Sequence, residues 1–247
     1  KLLDDYYAAL SRERGPSPAT IRHVHAVFRG AFGQAVKWGI VPTNPAAAAS
    51  PPKLRQREIA PPAITDVRRM LTLADEDDPE YGALLRVLTA TGARRREVCG
   101  LRWSDLDRST RTLSITRSIA SVAGGTVVKD TKTHASRRIA LDDATLAVLD
   151  AQRERLENRA TACDVELDPH GYVFTESADA ADPLHPDTIT ARFMRIRKRA
   201  SLDGVRLHDL RHLHATQLLA AGVPVRTVSG RLGLANAATT LNVYAHF

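Results

Sequence analysis

The sequence predicts a mainly α-helical chain with a small antiparallel β-sheet, an α+β architecture divided between two domains. Three observations carry that prediction. Apolar residues near the start recur at helical spacing. A proline-rich, basic stretch at residues 44 to 62, NPAAAASPPKLRQREIAPP, then interrupts the periodic pattern. Beyond it, helical segments bracket short runs rich in Thr, Val and Ile around a Gly-Gly pair. With 247 residues, 43% hydrophobic and 26% charged, the composition is that of an ordinary globular protein, long enough for one large domain or two small ones.

The elements follow in order. Ser17 is an N-cap and Pro18 suits a first helical position. Ile21, Val24, Phe28, Phe32 and Ala35 form the apolar series of the helix, and Trp38-Gly39 closes it. Arg22 and Arg29 share one flank and Lys37 lies further round, which reads equally as a solvated flank or a phosphate-facing one. Lys53, Arg55 and Arg57 make the proline-rich segment a basic strap able to follow a phosphate backbone. The expected division is residues 1–50 as a helical domain, 51–62 as linker and 63–247 as the second domain.

In that second domain, residues 64–73 and 80–90 read as helices, and 112–119, 126–129 and 137–141 as strands, with Gly124-Gly125 as a turn. Helices return at 143–159 and 187–200. In the last of these Ile189, Phe193, Ile196 and Ala200 make a core stripe. Arg192, Arg195 and Arg199 line the opposite face with no acid among them, which leans toward phosphate contact.

Charge narrows the class of partner. A net charge of +7 favours a polyanion, and nucleic acid is the commonest. Two cysteines, Cys99 and Cys163, make neither a disulfide framework nor a metal quartet, so a reducing cytoplasm is expected, with association to the nucleoid. No apolar run approaches membrane-spanning length and no signal-peptide pattern opens the chain. It begins at Lys1 inside what reads as a helix, so a fragment of a longer protein is expected.

Three stretches carry chemistry. In LHDLRHLHATQLL, residues 207–219, His208 and Arg211 are three apart and share a face in the first turns of a helix. A proton-exchanging imidazole beside a permanent guanidinium suits a phosphodiester reaction, while His212 and His214 read as structural. In TATGARRREVCGLRWSDLD, residues 89–107, Gly92 ends one helix and three arginines open another, against the helix dipole. They require another reason to be there, such as a bound phosphate, and Glu97 is placed to hold one of them. Spacing does not say which of Arg94, Arg95 and Arg96 points inward. In KDTKTHASRRIAL, residues 129–141, Lys129 and Lys132 fall at a turn between strands, where an ammonium can donate a proton to a leaving alkoxide. There is no carboxylate cluster spaced for two magnesium ions, no P-loop, no GxGxxG and no GxSxG elbow. No metal and no cofactor is expected.

Taken in order, these pieces resemble the tyrosine recombinase (phage integrase) family. The residues are Thr91-Gly92-Ala93-Arg94-Arg95-Arg96-Glu97 for its T-G-x-R-x-x-E, Lys132 for its hairpin lysine, His208 and Arg211 for its H-x-x-R, and Leu232-Gly233-Leu234 for its L-G-H box. The terminal TTLNVYAHF supplies Tyr244. The resemblance implies that residues 1–50 are a helical, SAM-like core-binding domain and that residues 63–247 are the catalytic domain. It implies Tyr244 as nucleophile, Arg94 and Arg211 as phosphate clamps, His208 in proton transfer and Lys132 as donor to the leaving 5′-oxygen. It further implies double-stranded DNA attachment sites as substrate, a homo-tetramer on paired sites, and room for an excisionase or DNA-bending helper. One position departs: Leu234 stands where the family usually has histidine or tryptophan, and leucine donates no hydrogen bond. Reduced activity is therefore expected.

Three rival readings remain open at this level, one of them a relaxing enzyme similar to type IB topoisomerases with the same chemistry, which the integrase-like layout disfavours. Residues 222–244 also resemble a helix-turn-helix reader of a transcription regulator. A recombinase homologue weakened at Leu234 would keep the fold and bind sites without cutting them.

Overall fold

The computed structural model describes residues 2–12, 15–54, 61–130 and 136–234. The chain divides into two compact units, residues 1–58 and 59–247, and the division falls inside the proline-rich stretch.

The first unit holds α1 (Leu2–Leu10) and α2 (Pro18–Lys37). The Ser17 hydroxyl accepts from the Thr20 amide at 3.2 Å, which starts α2 as the sequence suggests. Trp38 ends it, and Gly39 turns the chain away with φ +71°, a conformation that costs glycine little. Of the apolar series at helical spacing only Ile21 is fully buried, beside Tyr7 and Ala46. Phe28 and Phe32 are half-covered, their ring centroids 6.4 Å apart, because the described partner elements do not close over that face of α2. Arg22, Arg29, Lys37 and Lys53 are exposed, and Arg22 donates to the Pro52 carbonyl at 3.4 Å. Arg55 and Arg57 lie outside the described residues.

The second unit is built around one helix. α3 (Ile64–Asp77) leads through Asp78 into α4 (Pro79–Thr91), and the Asp78 carboxylate caps α4 by accepting from the amides of Glu80 and Tyr81 at 3.0 and 3.2 Å. Tyr81, Leu84, Leu85, Val87 and Leu88 are all buried, so α4 is covered on several sides. Each such side chain contributes about 1.5–3 kcal/mol through burial. α3 packs on α4, as do α6 (Asp143–Ala162) and α8 (Leu207–Ala220), and the short α5 (Arg95–Cys99) follows α4 directly.

Two small antiparallel sheets lie between α5 and α6. One has the order β1 (Leu106–Asp107), β2 (Thr112–Ile115), β5 (Arg137–Ala140), with Leu113 opposite Ile139. The other is a hairpin of β3 (Arg117–Val122) and β4 (Gly125–Asp130), turned by Gly124 at φ +85° and Gly125 at φ +156°. The run expected as one strand, 112–119, therefore breaks at Thr116, where the chain exchanges β5 for β4 as its partner. The apolar alternation continues across that point and gives no sign of the exchange.

In α7 (Pro186–Arg199) the expected stripe is fully buried from Ile189 to Ala200. The opposite face requires a correction. Arg192 pairs with Asp78 at 2.7 Å and Glu176 at 3.0 Å, while Arg195 and Arg199 both pair with Asp77 at 2.6 and 2.5 Å. The acids missing from the helix's own face come from the α3–α4 junction and from the segment before α7. These three arginines therefore have intramolecular partners, and the absence of acid that suggested phosphate contact does not hold in three dimensions.

Candidate active site

At the end of α4, Gly92 adopts φ +64° and turns the chain toward α5. No side chain fits there: a Cβ on Gly92 would lie 2.7 Å from Leu232 and 2.8 Å from the ring of His214. The turn places Arg94 at the N-cap of α5, three residues before Glu97. Glu97 is buried, and one of its oxygens accepts from the Arg94 amide at 2.8 Å while the other accepts from Arg94 Nη1 at 2.8 Å. It also takes two bonds from Arg137 of β5, at 3.1 and 2.6 Å. Burial pushes the Glu97 carboxyl up, but Arg137, by hydrogen bond and by charge, and then Arg94 outweigh it and hold the group below the usual carboxylate range.

α8 begins at Arg206, whose amide donates to the Asp209 carboxylate at 2.7 Å. Its first turns carry His208 and Arg211. Arg211 is buried and donates to the Gly92 carbonyl at 2.6 Å and to the Leu232 carbonyl at 2.5 Å. His208 is exposed as a residue, but its ring is partly enclosed beside that of His212, 4.8 Å away and edge to face. Enclosure of the ring, then His212 and Arg211, hold its pKa well below the ordinary histidine range, so in this state it is neutral at pH 7. α9 (Val225–Leu232) ends at Gly233, φ +63°, whose carbonyl accepts from Arg94 Nη2 at 3.1 Å. Leu234 follows, its amide bonded to the Ser229 carbonyl at 3.0 Å, and it packs against the cluster of Ala215, Val228 and Leu232.

These pieces line an open cavity of about 740 Å³, bordered by Arg94, Arg95, Arg96, His208, Arg211 and Leu234 among others. Arg94, His208 and Arg211, more than a hundred residues apart at the extremes, thus meet around one space. Of the three arginines opening α5, Arg94 is held by Glu97, Arg95 by Thr190 and by Asp187 at 3.4 Å, and Arg96 is exposed with no described partner. Acidic partners therefore account for two of them without a phosphate. Lys132 and Tyr244 lie outside the described residues. His214, read as structural, is buried against Gly92 and accepts from Arg231 Nε at 3.0 Å.

Arg137 was not singled out in the sequence, although a signal was present. Strand alternation puts it on the face of Ile139 and Leu141, which point into the core, and puts Arg138 on the other. An inward-facing arginine at a strand start demands a buried acid, and Glu97 is that acid.

The second unit is thus a helical body with two small antiparallel sheets, and it brings two guanidinium groups and an imidazole to one cavity. The sequence model of the phage integrase family matches residues 64–247, and the chain belongs to that family. It is 27% identical over 266 aligned residues to a tyrosine recombinase XerC-like protein of Caldanaerobacter subterraneus subsp. tengcongensis, covering 98% of this chain and 65% of that one. The chain thus spans a little under two thirds of the length of that relative. The fold is similar to the Tn1549 transposon integrase solved with transposon right-end DNA, with TM-score 0.83, 20% identity, and coverage of 99% of this chain and 80% of that chain. It is also similar to a lambda integrase tetramer bound to a Holliday junction, with TM-score 0.67, 20% identity, and coverage of 96% and 62%.

Proposed function

We propose that this chain is the DNA-cutting part of a site-specific recombinase of a mobile element, working through a covalent tyrosyl intermediate. The observation that carries the reading is the meeting of Arg94, His208 and Arg211 on one cavity lined also by the Gly233-Leu234 turn. Two guanidinium groups match a phosphate's non-bridging oxygens in a way two ammonium groups would not. The phenol of Tyr244 attacks the phosphorus, forming a 3′-phosphotyrosine and breaking the bond to the 5′-oxygen. That oxygen leaves as a hydroxyl with a proton from Lys132. His208 is a weak base in the free protein, and a bound phosphate anion raises its pKa, so that it can assist in taking up the phenolic proton, which at a pKa of about 10 does not leave unaided at pH 7. Because the phosphoester is retained, a 5′-hydroxyl of a second duplex reverses the step without ATP. The substrate is double-stranded DNA, the working state is a tetramer on two sites, and a bending or excision helper acts beside it. The similarity to integrases solved on DNA, and to a tetramer on a Holliday junction, supports that assembly.

Leu234 favours a second reading, a homologue that binds without cutting. The helix-turn-helix reading has less support, because residues 222–244 fall within the family match and Gly233 and Leu234, just past α9, line the cavity. The test uses nicked duplexes with a randomised centre, enriched by binding to the protein, and a denaturing gel. A covalent adduct that is absent from Tyr244→Phe is expected. Binding without adduct from either protein would leave the second reading standing.

A further inference from the structure

Resting on the recombinase reading, we infer that Arg137, which does not border the cavity, is the positioning residue that sets the phosphate-gripping face of Arg94. Its guanidinium spans the Glu97 carboxylate, which Arg94 also touches, and the C-terminal end of α9, where Arg94 takes the next carbonyl but one. With Nη1 and Nη2 it holds both oxygens of Glu97, at 3.1 and 2.6 Å, so that the carboxylate presents Oε1 to Arg94 Nη1 at 2.8 Å. With Nε it donates to the Arg231 carbonyl at 2.8 Å. The next two carbonyls of the same helix end take the two arginines of the cavity: Leu232 receives Arg211 and Gly233 receives Arg94. Three consecutive carbonyls at the negative end of α9 are therefore each held by a different guanidinium. Arg137 is the member that fixes this helix end and the orienting carboxylate together.

The local sequence is shaped to admit it. Gly233 has no side chain, and a Cβ there would lie 2.9 Å from Arg137 Nη1. The side chain of Arg137 is 8% exposed and that of Glu97 3%, whereas Arg94's is 42% exposed toward the cavity. The charge that faces a ligand is thus held by a pair that water barely reaches. A fork of two parallel bonds fixes the carboxylate plane, which a single ammonium does not.

The test is Arg137→Lys, which keeps a cation beside buried Glu97 where Arg137→Ala would strip it. The first readout is NMR of the arginine side chains in DNA-free protein, with Arg94 assigned through Arg94→Lys. Separate, protected Nη signals for Arg94 are expected in the parent, and their averaging in Arg137→Lys with the melting temperature kept within a few degrees. The second is adduct formation on the nicked duplex, where the rate at saturating DNA should fall by about tenfold to a hundredfold and the half-saturating DNA concentration should stay within about twofold. In an Arg94→Lys background the same substitution should have little further effect, since both act through one group. Unchanged Arg94 signals, or a rate loss multiplying fully with Arg94→Lys, would overturn the inference. A parent protein that forms no adduct sinks the recombinase reading instead, and the NMR comparison still decides whether Arg137 positions Arg94.

Discussion

Leu234 borders the cavity on one side and packs with Ala215, Val228 and Leu232 on the other. On the proposed recombinase function, it brings no donor to the phosphate whose charge would grow in the transition state. One such donor typically contributes about 2.7–4 kcal/mol, or 10²- to 10³-fold in rate. Leu234→His should accelerate adduct formation by about that factor at little cost in packing, measured as single-turnover rate on the nicked duplex. An unchanged rate would mean that another group already supplies the bond. His214 makes a separate prediction. Burial first, then Arg231 and Arg211, lower its pKa to about 4, against about 6.5 for a free imidazole. Between those values the unfolded chain binds the proton and the folded one does not, so stability is full above about pH 6.5 and is lost as pH falls toward 4, by roughly 3 kcal/mol. Denaturant melts across that range should show the loss, and His214→Gln should make it smaller, the lowered pKa values of His208 and His212 supplying the remainder. Single residues were only partly legible in sequence. Nothing in the ARRRE spacing separates Arg94 from its neighbours; that choice depends on Glu97 lying beneath one of them, α7 beside the next, and solvent at the third.

Elements with one dominant apolar period were legible nearly to their ends. Ser17-Pro18 starts α2, Gly92 ends α4, and Ile189, Phe193 and Ile196 define the buried side of α7. What sequence could not show was partnership. The break at Thr116 depends on which strand lies alongside, and Asp77 answers Arg195 and Arg199 from more than a hundred residues away. The same dependence makes the α4–α5 turn sensitive. Gly92 must hold φ +64° while α8 and α9 crowd it, with Arg211 donating to its carbonyl. Gly92→Ala adds left-handed strain of about 1–2 kcal/mol and overpacking of about 1–3 kcal/mol against Leu232 and His214. A fall of about 2–5 kcal/mol in unfolding free energy is expected from denaturant melts, together with loss of adduct formation, because the turn carries Arg94 and anchors Arg211. Gly124→Ala is the control. Its φ is also positive, but nothing lies within 4 Å of a Cβ there, so only the strain should register.

At the scale of the whole chain, the net charge of +7 is the property that function would use before any site forms. Much of the second unit's arginine charge is answered internally, as at Arg94, Arg137, Arg192, Arg195 and Arg199. Residues 1–58 carry a different kind: Arg22, Arg29, Lys37 and Lys53 are exposed, and among the described residues none is paired with a carboxylate. Charge already compensated within the fold releases few counterions on binding, whereas charge open to water releases one for each phosphate it meets. The exposed set should therefore govern the salt dependence of DNA binding while contributing little to stability. Replacing all four with glutamine should make the plot of log K against log salt shallower by about 0.9 for each phosphate no longer neutralised, up to roughly 3 to 4. The melting temperature should hardly move. Fluorescence anisotropy on a labelled duplex across a salt series measures the slope directly. If it stays where it was, the flank of α2 and Lys53 are solvated rather than phosphate-facing, and the polyanion must be met by other basic residues.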